Sequence, residues 1–129
     1  MKIEALLRYA RLQDCSDLHL SVGLPASMRR FGALMPLPAE ITPAETEELI
    51  RSLCSSAQLE QLERGEDLDF AFETGPRERY RVNVYRERNG LAAAIRLLRG
   101  EIPTLESLGL PSVLTDFCGC QNGLILVTG

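Results

Sequence analysis

Seven arginines stand between Arg77 and Arg99 with only two acids and no lysine among them, a net of +5. The guanidinium is planar, permanently charged and forked, so it matches the oxygens of a phosphate or carboxylate two at a time. Such a cluster points either to oxyanion contacts or to a solvated sheet face whose charges pair with acids elsewhere. Acids are at hand: from Glu40 to Glu73 there are ten against two arginines, a net of −8. Thiols and an imidazole offer a second chemistry. Cys15 and His19 with Cys118-Gly119-Cys120 would make a three-thiol, one-histidine metal set, but the spacing matches no common zinc module. No metal ligand is assigned, and the cysteines read as reduced and partly buried. His19, the only histidine, has no evident nucleophile or carboxylate partner, so no catalytic role falls to it.

The arginines lie on what reads as a hairpin. Runs Arg79 to Arg88 and Leu91 to Leu98 flank Asn89-Gly90, a strong turn dipeptide. With those two residues as the loop, Arg88 pairs with Leu91, Val82 with Leu97 and Val84 with Ile95 on one apolar face. On the polar face Asn83 then meets Arg96 and Arg81 meets Leu98, making Arg81 and Arg96 diagonal neighbours. Like charges about 6 Å apart cost on the order of 1 kcal/mol even in water. A docked anion would offset that cost, as would Asp or Glu side chains from another element, or both guanidiniums splay into solvent.

Around the hairpin, the periodicity supplies the rest of a core. Ile3, Leu6, Leu7 and Ala10 form the stripe of a short helix, and Asp17 to Val22 alternates as a strand with Leu18, Leu20 and Val22 inward. Met28 to Leu37, turning near Phe31-Gly32, reads as a short hairpin confined by Pro36 and Pro38 to an edge or a strand end. Thr42-Pro43-Ala44-Glu45 is a helix start with its cap, followed by a second helix over about Ala57 to Arg64 that Gly65 ends. Leu68, Phe70 and Phe72 alternate as another strand. After Gly100 the chain reads as a connector with one helical turn, then a short helix over Ser112 to Phe117. Gly123 to Gly129 is an apolar run suited to a strand buried on both faces, of the kind found in parallel sheets flanked by helices, and a further domain is expected to go with it.

The chain of 129 residues suffices for one core, and 45% hydrophobic with 25% charged residues excludes collagen-like, low-complexity and wholly disordered classes. Its longest apolar run, Leu91 to Ile95, is far short of the roughly 20 residues of a membrane helix. Charges interrupt the start at Lys2, Glu4 and Arg8, so no secretory signal is read and a cytoplasmic location is expected.

Six blocks in order resemble the secretion and type IV pilus ATPases, and within them the pilus retraction, or twitching motility, type. They are Ser16 to Pro25, Arg30 to Leu34, Tyr80 to Tyr85 with Arg88 and Gly90 beyond, Ile95 to Leu98, Ile102 to Pro111, and Gly123 to Gly129. Pro25-Ala26 departs from the usual proline pair, and Asn89 from a commoner basic residue. The resemblance implies an α+β fold: a PAS-like N-terminal domain over residues 1–99, with a mostly antiparallel sheet and flanking helices. A linker over 100–112 and the start of a RecA-like ATPase domain over 113–129 would follow. It implies a homo-hexameric motor, cytoplasmic and peripheral to the inner membrane at the pilus base, acting with the pilus platform protein and using ATP and magnesium. No nucleic acid and no membrane insertion are implied.

In the family the final strand runs into a phosphate-binding loop of form G-x-x-x-x-G-K-[ST], with Gly129 matching its first glycine. Without that loop these residues alone should neither hydrolyse ATP nor retain a nucleotide. Family arginines that reach the nucleotide match Arg81 and Arg96, and with less weight Arg88 at the turn.

Two other function classes compete. A stand-alone anion- or nucleic-acid-binding module would use the same arginines, but only Tyr80 and Tyr85 lie among them, tryptophan is absent and the net charge is −4. A PAS-like ligand sensor would need a ligand anchor, and no residue marks one.

Overall fold

A computed structural model describes residues 2–128. Helix α1 (Ile3–Leu12) buries Ile3, Leu6, Leu7 and Ala10, the stripe read from the sequence. Strand β1 (Cys15–Ser21) follows, then the hairpin β2 (Ser27–Arg30) and β3 (Ala33–Pro36). Helix α2 (Pro43–Ser52) starts with a reciprocal cap. The Glu45 amide donates to Thr42 Oγ1 at 3.3 Å, and the Thr42 amide donates to Glu45 Oε2 at 2.9 Å. Two otherwise orphaned N–H groups are satisfied in this way. Replacing Thr42 by alanine should therefore cost about 1 kcal/mol, read as a lower urea midpoint at unchanged slope.

Helix α3 (Ser56–Glu63) carries the same device between Ser55 and Gln58. Strands β4 (Leu68–Gly75), β5 (Glu78–Glu87) and β6 (Gly90–Leu97) complete the sheet, and α4 (Val113–Cys118) is the last element. The expected α+β class is what forms.

All neighbouring strands are antiparallel, in the order β3-β2-β1-β6-β5-β4. The first and last strands thus lie side by side at the centre. Leu18, Ile95 and Val82 face one another across β1, β6 and β5, each fully buried. Leu20, Ala93, Val84 and Leu68 form the next row on that side, over which α1 and α2 pack. Alternation sends the other half of every strand to the opposite, polar face.

The β5–β6 register differs by two residues from the expected one. Glu87 pairs with Gly90, so Arg88-Asn89 is the turn, Val82 meets Ile95, Val84 meets Ala93 and Arg81 meets Arg96 directly. Gly90 is needed in the strand rather than in the loop. Its φ is +135°, and a Cβ there would sit 3.1 Å from Val22 Cβ. Because the slip is even, every inward side chain stays inward.

A second difference concerns 123–128, which form no strand. Leu124, Leu126 and Val127 are 81%, 77% and 91% exposed. A strand takes its backbone partners from neighbours, and no described strand pairs with this run. Gly129 lies outside the described residues.

Candidate functional site

The polar face carries one row of charges at right angles to the strands. Arg29 on β2 pairs with Asp17 on β1, Asp17 with Arg96 on β6, and Arg96 with Arg81 on β5. Directly opposed residues of an antiparallel pair have Cα atoms about 4.5–5.5 Å apart, so the two arginines are closer neighbours than the sequence register placed them.

Carboxylates from other strands offset their repulsion. Arg81 donates from Nε to Asp69 Oδ1 at 3.1 Å and from Nη2 to Asp69 Oδ2 at 2.8 Å. Arg96 donates from Nε to Asp17 Oδ1 at 3.1 Å, and Asp17 Oδ2 accepts from Ser16 Oγ at 2.8 Å with Arg29 Nε at 3.7 Å. Of the three alternatives open at the sequence level, pairing with acids is realised, and it leaves part of each guanidinium uncommitted. Two residues along the strands, on the same face, lie His19, Ala94, Asn83 and Asp69, which with Asp17, Arg81 and Arg96 line a shallow depression of about 270 Å³. The His19 Nε2 is buried there without a partner among the described residues.

Both acids titrate below the ordinary carboxylate range. Burial pushes Asp17 up, but hydrogen bonds from Ser16 and Arg96 and the charges of Arg96 and His19 outweigh it. For Asp69 the hydrogen bonds from Arg81 dominate, and the same pair raises Arg81. A folded-state pKa below the unfolded value stabilises above about pH 4 and is lost as pH falls through the folded value. Urea titrations from pH 6 down to about pH 2 should therefore show a steep acid limb, flattened by Asp17→Asn. An unchanged limb in that variant would show that Asp17 carries none of it.

Arg88 stands exposed at the turn, seven residues along β5 from Arg81, a strand distance of roughly 23 Å. It does not join the row. Cys15 is buried in β1, where burial pushes its thiol up, while Cys118 and Cys120 are exposed near the end of α4. Among the described residues no group of three or more His, Cys, Asp or Glu side chains is placed to hold a metal ion. No described helix is long and apolar enough to cross a membrane. The sequence reading missed Asp17, Asp69 and Arg29. The signal available was their polar phase in alternating strands, which becomes informative only once the strand order is known.

No protein-family model matches the chain. It is 37% identical over its whole length to the Escherichia coli K12 protein YggR, of which it covers 39%. It is 33% identical, again over its whole length, to the type IV pilus retraction ATPase PilT of Pseudomonas aeruginosa, of which it covers 38%. The chain thus spans just over a third of the curated relatives it matches. Among solved structures, the pilus retraction motor PilT with bound ADP superposes on 93% of this chain and 36% of its own, with a TM-score of 0.79 at 34% identity. The six ordered sequence blocks, the antiparallel sheet with its flanking helices and this superposition agree: over its length the chain is similar, in sequence and in fold, to the N-terminal domain of PilT-type pilus and secretion ATPases.

Proposed function

We propose that this chain works as the N-terminal domain of a hexameric ATPase motor that powers type IV pilus retraction and twitching motility. Its part is to supply subunit interface and the nucleotide-sensing arginines Arg81 and Arg96. The observation that carries the reading is the pair of guanidiniums placed directly opposite each other on an open sheet face. Two fixed positive charges so close suit a group with several anionic oxygens, such as the terminal phosphate of ATP.

In ATP hydrolysis water attacks the γ-phosphorus, the bond to the bridging oxygen breaks, and charge spreads over the phosphoryl oxygens. Arginines aimed at those oxygens lower the barrier. When the phosphate leaves, their contact vanishes, so domain orientation follows nucleotide state.

Residues 1–99 form the domain in this reading, 100–112 the linker, and 113–129 the start of a RecA-like ATPase domain. Gly129 is then the first glycine of a phosphate-binding loop, and that loop and the magnesium ligands lie after it. Magnesium finds no site at the depression itself, because Asp17 and Asp69 are engaged by arginines. Arg88, at the turn, is given no nucleotide contact. The motor is placed in the cytoplasm, against the inner membrane at the pilus base, with the pilus platform protein as its partner. A nucleic-acid surface is less favoured, since the arginine row is interleaved with carboxylates rather than continuous.

The test is to read the gene past the Gly129 codon and assay its full product. A Gly-Lys-Ser or Gly-Lys-Thr loop with about two hundred further residues, and ATP hydrolysis by that product, are expected. A stop codon directly after Gly129 would overturn the reading.

A further inference from the structure

The carboxylates on the arginine row act on the same side of each guanidinium. Asp69 takes Nε and Nη2 of Arg81, and Asp17 takes Nε of Arg96. The end-on edge of each, Nη1 with the outer N–H of Nη2, has no protein partner among the described residues. A guanidinium has five N–H donors, and that edge is the fork that receives two oxygens of a phosphate at once. An unbraced arginine samples many rotamers, and ordering it at the moment of contact weakens the contact.

Here the ordering is already done. Asp17 is only 14% exposed, and its Oδ2 is held by Ser16 and approached by Arg29, so Oδ1 is presented to β6 from a fixed carboxylate. Asp69 holds its arginine by two parallel bonds. Charge along the row fits as well. Arg29, Arg81 and Arg96 outnumber Asp17 and Asp69 by one, so the face remains attractive to an anion after both braces are made.

We propose that Asp17 and Asp69 are positioning residues that hold Arg96 and Arg81 side-on, so that both end-on edges are set in advance to receive a terminal phosphate. The role rests on the nucleotide reading of the two arginines.

The test uses Asp17→Asn, Asp69→Asn and Asp69→Glu beside Arg81→Ala and Arg96→Ala in the full-length protein. In both Asn variants kcat for ATP falls about 10- to 100-fold with KM nearly unchanged, and Asp69→Glu restores most of it. In the ¹⁵N-labelled chain, slow rotation about Nε–Cζ gives Arg81 and Arg96 separate Nη signals in NMR spectra. The matching Asn variant averages them. A purely structural role would lower the melting temperature and leave kcat per folded molecule and the Nη signals alone.

Asn variants with unchanged kcat, while the alanine variants lose turnover, would reject the braces and keep the nucleotide reading. Faster turnover in the Asn variants would also overturn the proposal, since the carboxylates would then compete with phosphate. Full turnover in the alanine variants would remove the nucleotide reading and the positioning role together. Asp69 is on the exposed side of the row, so its variants keep the test open even where Asp17→Asn fails to fold.

Discussion

Replacing Arg96 or Arg81 by alanine in the full-length protein should lower kcat for ATP by roughly 10²- to 10³-fold while leaving ATP affinity within a few-fold. The size follows from where the charge develops. A guanidinium aimed at the transferring phosphoryl group contributes most when charge has spread over its oxygens, so its loss falls on turnover and not on ground-state binding. Lysine at either position keeps the charge but loses the fork, and should recover only part of the rate. The double variant should fall well short of the product of the two single effects, because the residues are directly opposed and act on one group. Wild-type turnover in both single variants would remove these arginines from the site.

The second large effect is on stability. Tyr80 is 1% exposed, its ring centroid lies 5.0 Å from the Arg11 guanidinium carbon and 6.3 Å from that of Phe72, and its hydroxyl is 3.3 Å from Thr74 Oγ1. Tyr80→Ala removes this buried ring next to the strand residue that carries Arg81, and should cost about 3–5 kcal/mol. That is a large share of the roughly 5–15 kcal/mol of a typical domain. Tyr80→Phe loses only the hydroxyl contact and should cost about 1 kcal/mol. Urea unfolding of the chain followed by far-UV circular dichroism measures both. A loss below about 1 kcal/mol for the alanine variant would show that the ring is not a support of the sheet.

Local chemistry made most of the elements legible. The Thr42 and Gly65 signals bound the helical region, and the Ile3, Leu6, Leu7, Ala10 stripe is the buried face of α1. Alternation placed Leu18, Leu20, Val82 and Val84 inward. What local signals missed is set from a distance. The hairpin register depends on Gly90 meeting Val22, a residue of the segment after β1. Asp17 reaches Arg96 across 79 residues of sequence, through a β1–β6 pairing that no local periodicity announces. The apolar run 124–127 has the composition of a buried strand, but composition supplies no neighbour to pair with. Arg81 and Arg96 were singled out twice, as diagonal neighbours in the hairpin pattern and by the family resemblance. Their direct opposition and the carboxylates beside them came from the fold.

The most direct measurement is a structure of the full-length protein with a non-hydrolysable ATP analogue. The account predicts Nη atoms of Arg81 or Arg96 about 2.7–3.1 Å from γ-phosphate oxygens, with Asp69 and Asp17 still on their Nε sides. Arginines that remain turned away from the nucleotide, with its γ-phosphate held entirely by other residues, would contradict it.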